Sequence, residues 1–535
     1  MMTNVDWWRG AVLYQIYPRS FYDADGNGIG DLRGITAKLD YIASLNVDAI
    51  WVSPFFPSPM ADFGYDVSDF CGVDPLFGTL ADADALIAGA HARGLKVLID
   101  LVISHSSDQH PWFVESRRDR HNPKADWYVW ADAESDGTPP NNWLSIFGGS
   151  AWEWDARRRQ YYLHNFLKAQ PDLNFHNPDV QAAVLAAARF WLERGVDGFR
   201  LDTVNFYFHD LALRSNPPAP ADAAVNTVPR SNPYGFQLHL YDKTRPENLG
   251  FLEKLRALLD QYPGTTTVGE LGIDNDVAET TAAYTEAGKR LHMVYGFDLL
   301  APNVTAVDIR QAVERTEAGL GSGWISWALS NHDFPRVISR WGYADVAPLA
   351  APMLIALATA LRGSPCLYQG DELGLIEADV PFERLQDPYG KTFWPEFKGR
   401  DGCRTPMPWA AQAPFSGFSD VDPWLPIPAD HAHAAVDRQA ADPASPLNRI
   451  RHFLRWRRGE ASLRHGAIRF FDAPAPVLLF QRGDDRLCAF NLGREAVEVT
   501  LPRAGHVLRE SGFEADLSGQ TLTLPPLGAA FLADS

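Results

Sequence analysis

Short, unbroken apolar runs recur along this chain, separated by longer stretches in which apolar and polar residues alternate at helical spacing. The runs read AVLYQIYP from residue 11, DAIWVSPF from 48, KVLIDLVI from 96, DGFRLD from 197, TTTVGE from 265, MVYGFDL from 293, ISWALS from 325 and PCLYQGD from 365. Runs of this kind suit strands buried on both faces, as in a parallel sheet. Between them, segments such as LADADALIAGAHARG from 80 and VQAAVLAAARFWLERG from 180 have the apolar spacing and closing Gly of amphipathic helices. Eight strands alternating with helices predict an α/β fold, a (β/α)8 TIM barrel.

Strand starts fall roughly 30–50 residues apart, as βαβ units require, but one gap is too long. It contains HSSDQHPWFVESRRD from 105 and the Trp-rich WYVWADAESDGTPPNNW from 127, which predict a small domain inserted after strand three, residues 105–174. A second irregular tract, 207–250, carries SNPPAPADAAVNTVPRSNP from 215, too rich in Pro and Asn for a continuous helix. From about 465 the pattern changes to short strands (PVLLFQR from 476, RLCAFNL from 486, AVEVTLP from 496, QTLTLPP from 520). These predict a C-terminal antiparallel β-sandwich over 461–535, leaving 1–104 and 175–460 to the barrel.

Composition narrows the function. With 48 Lys+Arg against 67 Asp+Glu, the net charge of −19 argues against a nucleic-acid partner, which needs clustered cations. Cys71, Cys366, Cys403 and Cys488 are scattered without a CxxC pair, so neither zinc nor a redox site is indicated. The opening MMTNVDWWRG has no basic segment followed by an apolar one, and no run approaches a membrane helix. The expectation is a soluble cytoplasmic protein without a membrane partner, acting on a small polar or neutral ligand.

In a barrel of this kind active-site groups stand at the C-terminal ends of strands. Asp100 sits in the third run with His105 beyond it; Arg200 and Asp202 close the fourth, Glu270 the fifth, and His332 and Asp333 follow the seventh. Asp202, Glu270 and Asp333 would converge on one mouth. Singly, any of these could cap a helix or satisfy a loop; the recurrence at strand ends is what carries the inference. Arg200 and Asp202, two apart on a strand, share a face and can pair, which suits a nucleophilic carboxylate. Glu270, crowded by other anions, suits a general acid. Two such carboxyls would serve retaining glycoside hydrolysis through a covalent glycosyl-enzyme if they stand about 5–5.5 Å apart.

The segments DLVISH from 100, GFRLDTVN from 198, VGEL from 268 and SNHD from 330, in that order, resemble the four signatures of glycoside hydrolase family 13, the α-amylase family. WWRGAVLYQIYPRSF from 7 and DFGYDVSDF from 62 resemble its α-glucosidase and oligo-1,6-glucosidase branch. The resemblance implies Asp202 as nucleophile, Glu270 as acid/base and Asp333 as the third carboxylate. It implies sugar contacts from His105 and His332, with Arg200 holding Asp202. Asp62 and Arg400 (in GRDGCRTPMPW from 399) would close the non-reducing end of the subsite, restricting action to one terminal glucosyl unit. Tyr65 would face the same ring, and Phe166 and Gln170 match further sugar-contact positions.

Asp23, Asp25 and Asn27 in DADGNGIGD stand at alternate positions, like the opening of an EF-hand loop, but the bidentate Glu of that loop is replaced by Gly34. Relatives in the glucosidase branch carry Ca²⁺ or Mg²⁺ here, so the resemblance implies Asp23, Asp25, Asn27, the Ile29 carbonyl and Asp31 as ligands of a structural, non-catalytic ion. No organic cofactor is expected.

Thr203, directly after Asp202, resembles α-1,4-specific members, where Val accompanies α-1,6 specificity; LGIDND from 271 lacks the Met-Pro of many oligo-1,6-glucosidases. The expected activity is an α-glucosidase on short α-glucosides such as maltose, with transglucosylation to hydroxyl acceptors. Alternatives are an oligo-1,6-glucosidase, a sucrose-active or trehalose-forming relative, or a non-catalytic protein like the transporter heavy chains, against which all three carboxylates speak.

Overall fold

The computed structural model describes residues 5–220, 228–272 and 277–534. Eight parallel strands form one sheet: Leu13–Ile16, Ala49–Val52, Lys96–Leu101, Gly198–Leu201, Thr266–Glu270, Met293–Gly296, Ile325–Trp327 and Cys366–Tyr368. Each pairs with its chain neighbour, the eighth returns beside the first, and a bridge from Ala328 to Cys366 brings the eighth next to the seventh. The eight runs of the sequence are these eight barrel strands, ordinally numbered below.

Alternation along the strands sorts their side chains into two cores. Val12, Tyr14, Ile50, Val52, Val97, Ile99, Phe199 and Leu201 face the surrounding helices. Leu13, Ala49, Trp51, Leu98, Val268 and Met293 fill the barrel interior. With a period of two, the next interior residues toward the C-terminal end are Gln15, Asp100, Arg200 and Glu270. The interior is thus apolar at its floor and charged at its mouth. Gly198 lets the fourth and fifth strands approach closely: at φ +150°, a Cβ there would lie 2.0 Å from the Thr266 carbonyl oxygen.

The outer helices begin on definite signals. Thr79 and Asp82 form a reciprocal capping box for Leu80–Ala92, and Thr305 with Asp308 does the same for Ala306–Leu320. Asn177 caps Pro178–Glu193, whose Val180, Val184, Ala188 and Trp191 are buried against the sheet. No helix among the described residues is long and apolar enough to cross a membrane.

The excursion between the third and fourth strands holds the short helix Pro111–Ser116 and an antiparallel sheet of Trp130–Ala131, Gln160–Leu163 and Trp152–Asp155. Two of its Trp residues form a core: Trp143 stacks on Trp152 within a cluster that includes Val129 and Leu163, whereas Trp154 is exposed. Among the described residues of the irregular tract 207–250, the helical segments are the 3-10 turn Pro233–Phe236 and, contrary to the expectation for its last four residues, the start of the helix Glu247–Leu259. Residues 221–227 of that tract, and 273–276 of the LGIDND segment, lie outside the described residues.

At the C-terminus, a five-stranded antiparallel sheet (Ile468–Phe471, Val477–Arg482, Arg486–Asn491, Ala529–Asp534, Gly505–Val507) faces a three-stranded one (Val497–Thr500, Thr521–Leu524, Asp516–Ser518). Val477, Leu479, Leu487, Leu522, Leu524 and Leu532 pack between them. On the larger sheet's other face, Phe480, Phe490 and Phe531 join the core under the helices Ala347–Ala360 and Pro446–Arg458.

Candidate active site

The charged ends of the interior rows meet around one guanidinium. Arg200, 1% exposed, places Nη1 2.6 Å from Asp202 Oδ1 and 2.7 Å from Asp100 Oδ1, and Nη2 2.7 Å from Glu270 Oε2. Asp202 and Glu270 are therefore held within the span of a single planar fork. Chain direction changes abruptly after Asp202: Thr203 is left-handed (φ 40°, ψ 49°), a costly conformation for a β-branched residue. Its N–H donates to Glu270 Oε2 at 3.2 Å, and its hydroxyl lies 3.2 Å from Asp202 Oδ2 and 2.9 Å from Ser104 Oγ. The strained residue thereby ties the two carboxyls together.

Electrostatics differ sharply among the acids. Burial, reinforced by the charges of Asp202 and Asp333 and opposed by Arg200, pushes the Glu270 carboxyl up to about 8. At neutral pH it holds its proton. Asp333 is also buried, which alone would raise it, yet His332, Arg400 and Arg404 together hold it far below the usual carboxylate range. Asp100, fully buried, is pushed up to about 7 by desolvation against the pull of Arg200.

His332 is neutral: burial takes its imidazole down to about 3. The Gln15 amide donates to its Nδ1 (2.8 Å), leaving Nε2–H to serve Tyr65 Oη at 2.6 Å and Asp333 Oδ2 at 3.1 Å. Tyr65 lies flat on the His332 ring, with centroids 5.3 Å apart, and donates to Asp100 Oδ2. His105, lowered by burial, uses Nε2–H on the Tyr65 carbonyl at 2.9 Å and Nδ1 on Ser104 Oγ.

A second charged group closes one end of the site. Arg400 Nη2 lies 2.7 Å from Asp62 Oδ1, and Nη1 lies 3.2 Å from Asp333 Oδ1, which also takes Arg404 Nη2 at 2.8 Å. Asp62 rests in a loop held by Asp66, whose carboxylate accepts from the Ala61 and Asp62 N–H groups and the Ser58 hydroxyl. Gln170 Nε2 donates to Asp62 Oδ2 at 3.2 Å.

These groups line a cavity of about 570 Å³. Of the residues singled out from the sequence, Asp62, Tyr65, His105, Phe166, Gln170, Asp202, Thr203, Glu270, Asp333 and Arg400 line it, whereas Arg200 and His332 stand behind its wall. The rest of the lining combines apolar residues, among them Phe206, Phe297, Leu300, Pro302 and Phe334, with the charged Arg230, Lys243, Arg340 and Glu396. Four residues of this arrangement escaped the sequence reading: Gln15, Asp100 as a partner of Arg200, Arg404 and Asp387. Period-two alternation could have found the first two, since both face the interior at a strand end. Nothing local marks Asp387, which lies in irregular Pro-rich chain.

The acidic loop is assembled separately. Asp23, Asp25 and Asp31 bring carboxylate oxygens within 4.8 Å of one another, Asp23 and Asp31 buried and Asp25 exposed. Backbone N–H groups already orient them: Gly28 and Gly26 donate to Asp23, and Ala24 and Gly34 to Asp31. Converging hard oxygens suit a divalent cation, and these residues could hold one. Asn27 Oδ1 accepts from Ile29 N–H. All four cysteines are free thiols.

Comparison with known proteins places the chain in a family. The family profile "Alpha amylase, catalytic domain" matches residues 15–466. A probable α-glucosidase of Rhizobium meliloti (strain 1021) is 55% identical, over 98% of this chain and 97% of its own. An oligo-1,6-glucosidase of Heyndrickxia coagulans is 35% identical over 97% and 98% of the two chains. The crystal structure of the α-glucosyl transfer enzyme XgtA superposes with a TM-score of 0.97 at 56% identity, covering 99% of each chain. The chain belongs to the α-amylase family, glycoside hydrolase family 13, in the branch of the α-glucosidases and oligo-1,6-glucosidases.

Proposed function

We propose that this protein is a retaining, exo-acting α-glucosidase that removes one non-reducing terminal glucose from short α-glucosides and also transfers it to hydroxyl acceptors. One observation carries the reading: Asp202 and Glu270 share the Arg200 fork at the base of a cavity whose end is closed by Asp62, Arg400 and Asp333. Carboxyls that close together fit double displacement, for which about 5–5.5 Å is typical.

Asp202 would attack the anomeric carbon while Glu270, protonated at neutral pH, gives its proton to the departing glycosidic oxygen. The β-glucosyl ester formed at Asp202 is then opened by water or another hydroxyl, deprotonated by Glu270 as carboxylate, so that the released sugar keeps the α configuration. Asp333, held ionised by its cationic neighbours, would stabilise the positively charged ring of the transition state. Asp62 and Arg400 offer an acceptor and a donor to adjacent sugar hydroxyls and leave no passage for a longer chain beyond them. Tyr65, His105, Phe166 and Gln170 would complete the glucose pocket, and Thr203 at its leaving-group edge favours α-1,4 linkages. The apolar part of the lining supports transfer, since it can seat an acceptor's carbon skeleton while displacing water.

Asp23, Asp25, Asn27, the Ile29 carbonyl and Asp31 would hold Ca²⁺ or Mg²⁺. The ion would neutralise the loop's charge and fix its conformation, away from the reacting atoms.

Incubation with concentrated p-nitrophenyl α-glucoside, whose leaving group is not itself a sugar, followed by NMR, tests the reading. The α-anomer of glucose should appear first, with glucosyl-transfer products beside it. Initial release of β-glucose would refute retention, and free glucose alone would refute transfer.

A further inference from the structure

Arg400 is held from behind as well as from the cavity. Asp387, fully buried and absent from the cavity wall, accepts from Arg400 Nε (3.1 Å), Nη2 (2.8 Å) and the Arg400 backbone N–H (2.8 Å). One carboxylate thus fixes both the main chain and the side-chain fork of the same residue. We infer that Asp387 is a positioning residue for the reaction: it sets the orientation in which Arg400 meets the terminal sugar.

The surroundings are built for this contact. Asp387 caps the helix Pro388–Phe393, accepting from Tyr389 N–H. Its own N–H and that of Gln386 donate to Asp401 Oδ2, at 2.9 and 2.6 Å. Carboxylates on two chain segments therefore grip each other's backbone, Asp387 on residue 400 and Asp401 on residue 387. The segments cross at Gly390 and Gly399, where a Cβ on either would come within 2.7 Å of the other's Cα. A side chain at the crossing would push the segments apart. Arg400 and its neighbours hold the Asp387 carboxyl at about 2 against its burial, so it stays ionised wherever the enzyme works.

Without Asp387, the anionic partners left to Arg400 among the described residues are Asp62 and Asp333, both of which line the cavity and would face substrate. The guanidinium would then follow those two anions rather than a fixed anchor. Misplacement of a binding group by about 1 Å can cost on the order of 100-fold in rate.

This inference rests on the proposed role of Arg400 in closing the glucose pocket, and the test separates the two. Asp387→Asn, Arg400→Ala and the double variant are compared on maltose, with thermal unfolding of each. Asp387→Ser, which can still cap the helix, is a second route to the same loss. Expected are a rise in KM larger than the fall in kcat for Asp387→Asn, an overall loss in kcat/KM on the order of 10–100-fold, and under 3-fold further loss when the change is added to Arg400→Ala. Multiplicative losses in the double variant, unchanged kcat/KM in Asp387→Asn, or failure of both Asp387 variants to fold would overturn the inference. An unaffected Arg400→Ala would instead overturn the reading of the pocket itself.

Discussion

Glu270 offers the sharpest quantitative test, because its environment fixes both its protonation state and the pH at which that state is lost. Burial among Asp202 and Asp333 moves it from 4.5 to about 8, with Arg200 opposing. A general acid with that value is about 91% protonated at pH 7 and about 9% at pH 9, so kcat/KM on maltose should fall roughly tenfold between them. The fall should be shallower with an aryl α-glucoside whose leaving group departs without a proton. Replacing Glu270 by Gln keeps the shape and removes the proton: maltose turnover should drop on the order of 10²–10⁴-fold, while the aryl glucoside still forms the glycosyl-enzyme. That intermediate then lacks a base for water, and added azide, which needs none, should restore turnover and yield the α-glucosyl azide. Steady-state rates across pH 5–10 with both substrates, with and without azide, measure all of this. An identical loss on both substrates, or no azide rescue, would refute the assignment of Glu270 as acid/base.

Asp202→Asn should lower turnover by at least about 10⁴-fold with unfolding unchanged, and a fluorinated glucosyl donor should label Asp202 in the native protein, read by peptide mass spectrometry. Thr203→Val should raise the isomaltose-to-maltose ratio of kcat/KM; a constant ratio would remove Thr203 from linkage choice. Ionising Glu270 at about 8 rather than 4.5 costs the folded state on the order of 5 kcal/mol. Because this folded value is raised, the contribution to stability is full below about 4.5 and is lost as pH rises through about 8. Glu270→Gln should therefore gain in melting temperature over the native protein from pH 5 to pH 9, and a constant difference would contradict the burial argument. Added Ca²⁺ or Mg²⁺ should raise the melting temperature of the EDTA-treated protein, and Asp25→Asn should reduce the rise, with kcat on saturating maltose unchanged.

Much of this site follows from the chain alone. Strands buried on both faces have no solvent side on which to place a charge. An acid ending such a strand must therefore point to a mouth, and Asp202 and Glu270 do. Asp333 could be added because it follows the seventh strand, although its surroundings bind it differently. That the two carboxyls share Arg200 was only half legible: spacing of two residues put Arg200 beside Asp202, while Glu270 arrives from the neighbouring strand through register. Register between parallel strands is set by packing of whole rows, which no single run encodes.

The parts least visible were those made by irregular chain. Asp62, Arg400 and Asp387 come from three loops, and their meeting depends on how Asp66 and Asp401 bind backbone N–H groups. Loops have no periodicity from which to deduce a direction, so resemblance could suggest the first two residues and nothing suggested the third. The acidic loop is nearer the opposite case: Asp23, Asp25 and Asp31 are neighbours in sequence and nearby backbone N–H groups orient them, although the distant Ser419 also donates to Asp23. The sequence by itself determined the barrel, the order of the acids and the metal-like loop, because alternation and local spacing act over short distances. Only the tertiary structure supplied the burial that raises Glu270, the cations that lower Asp333 and the anchor behind Arg400, because field and burial are sums over groups distant along the chain.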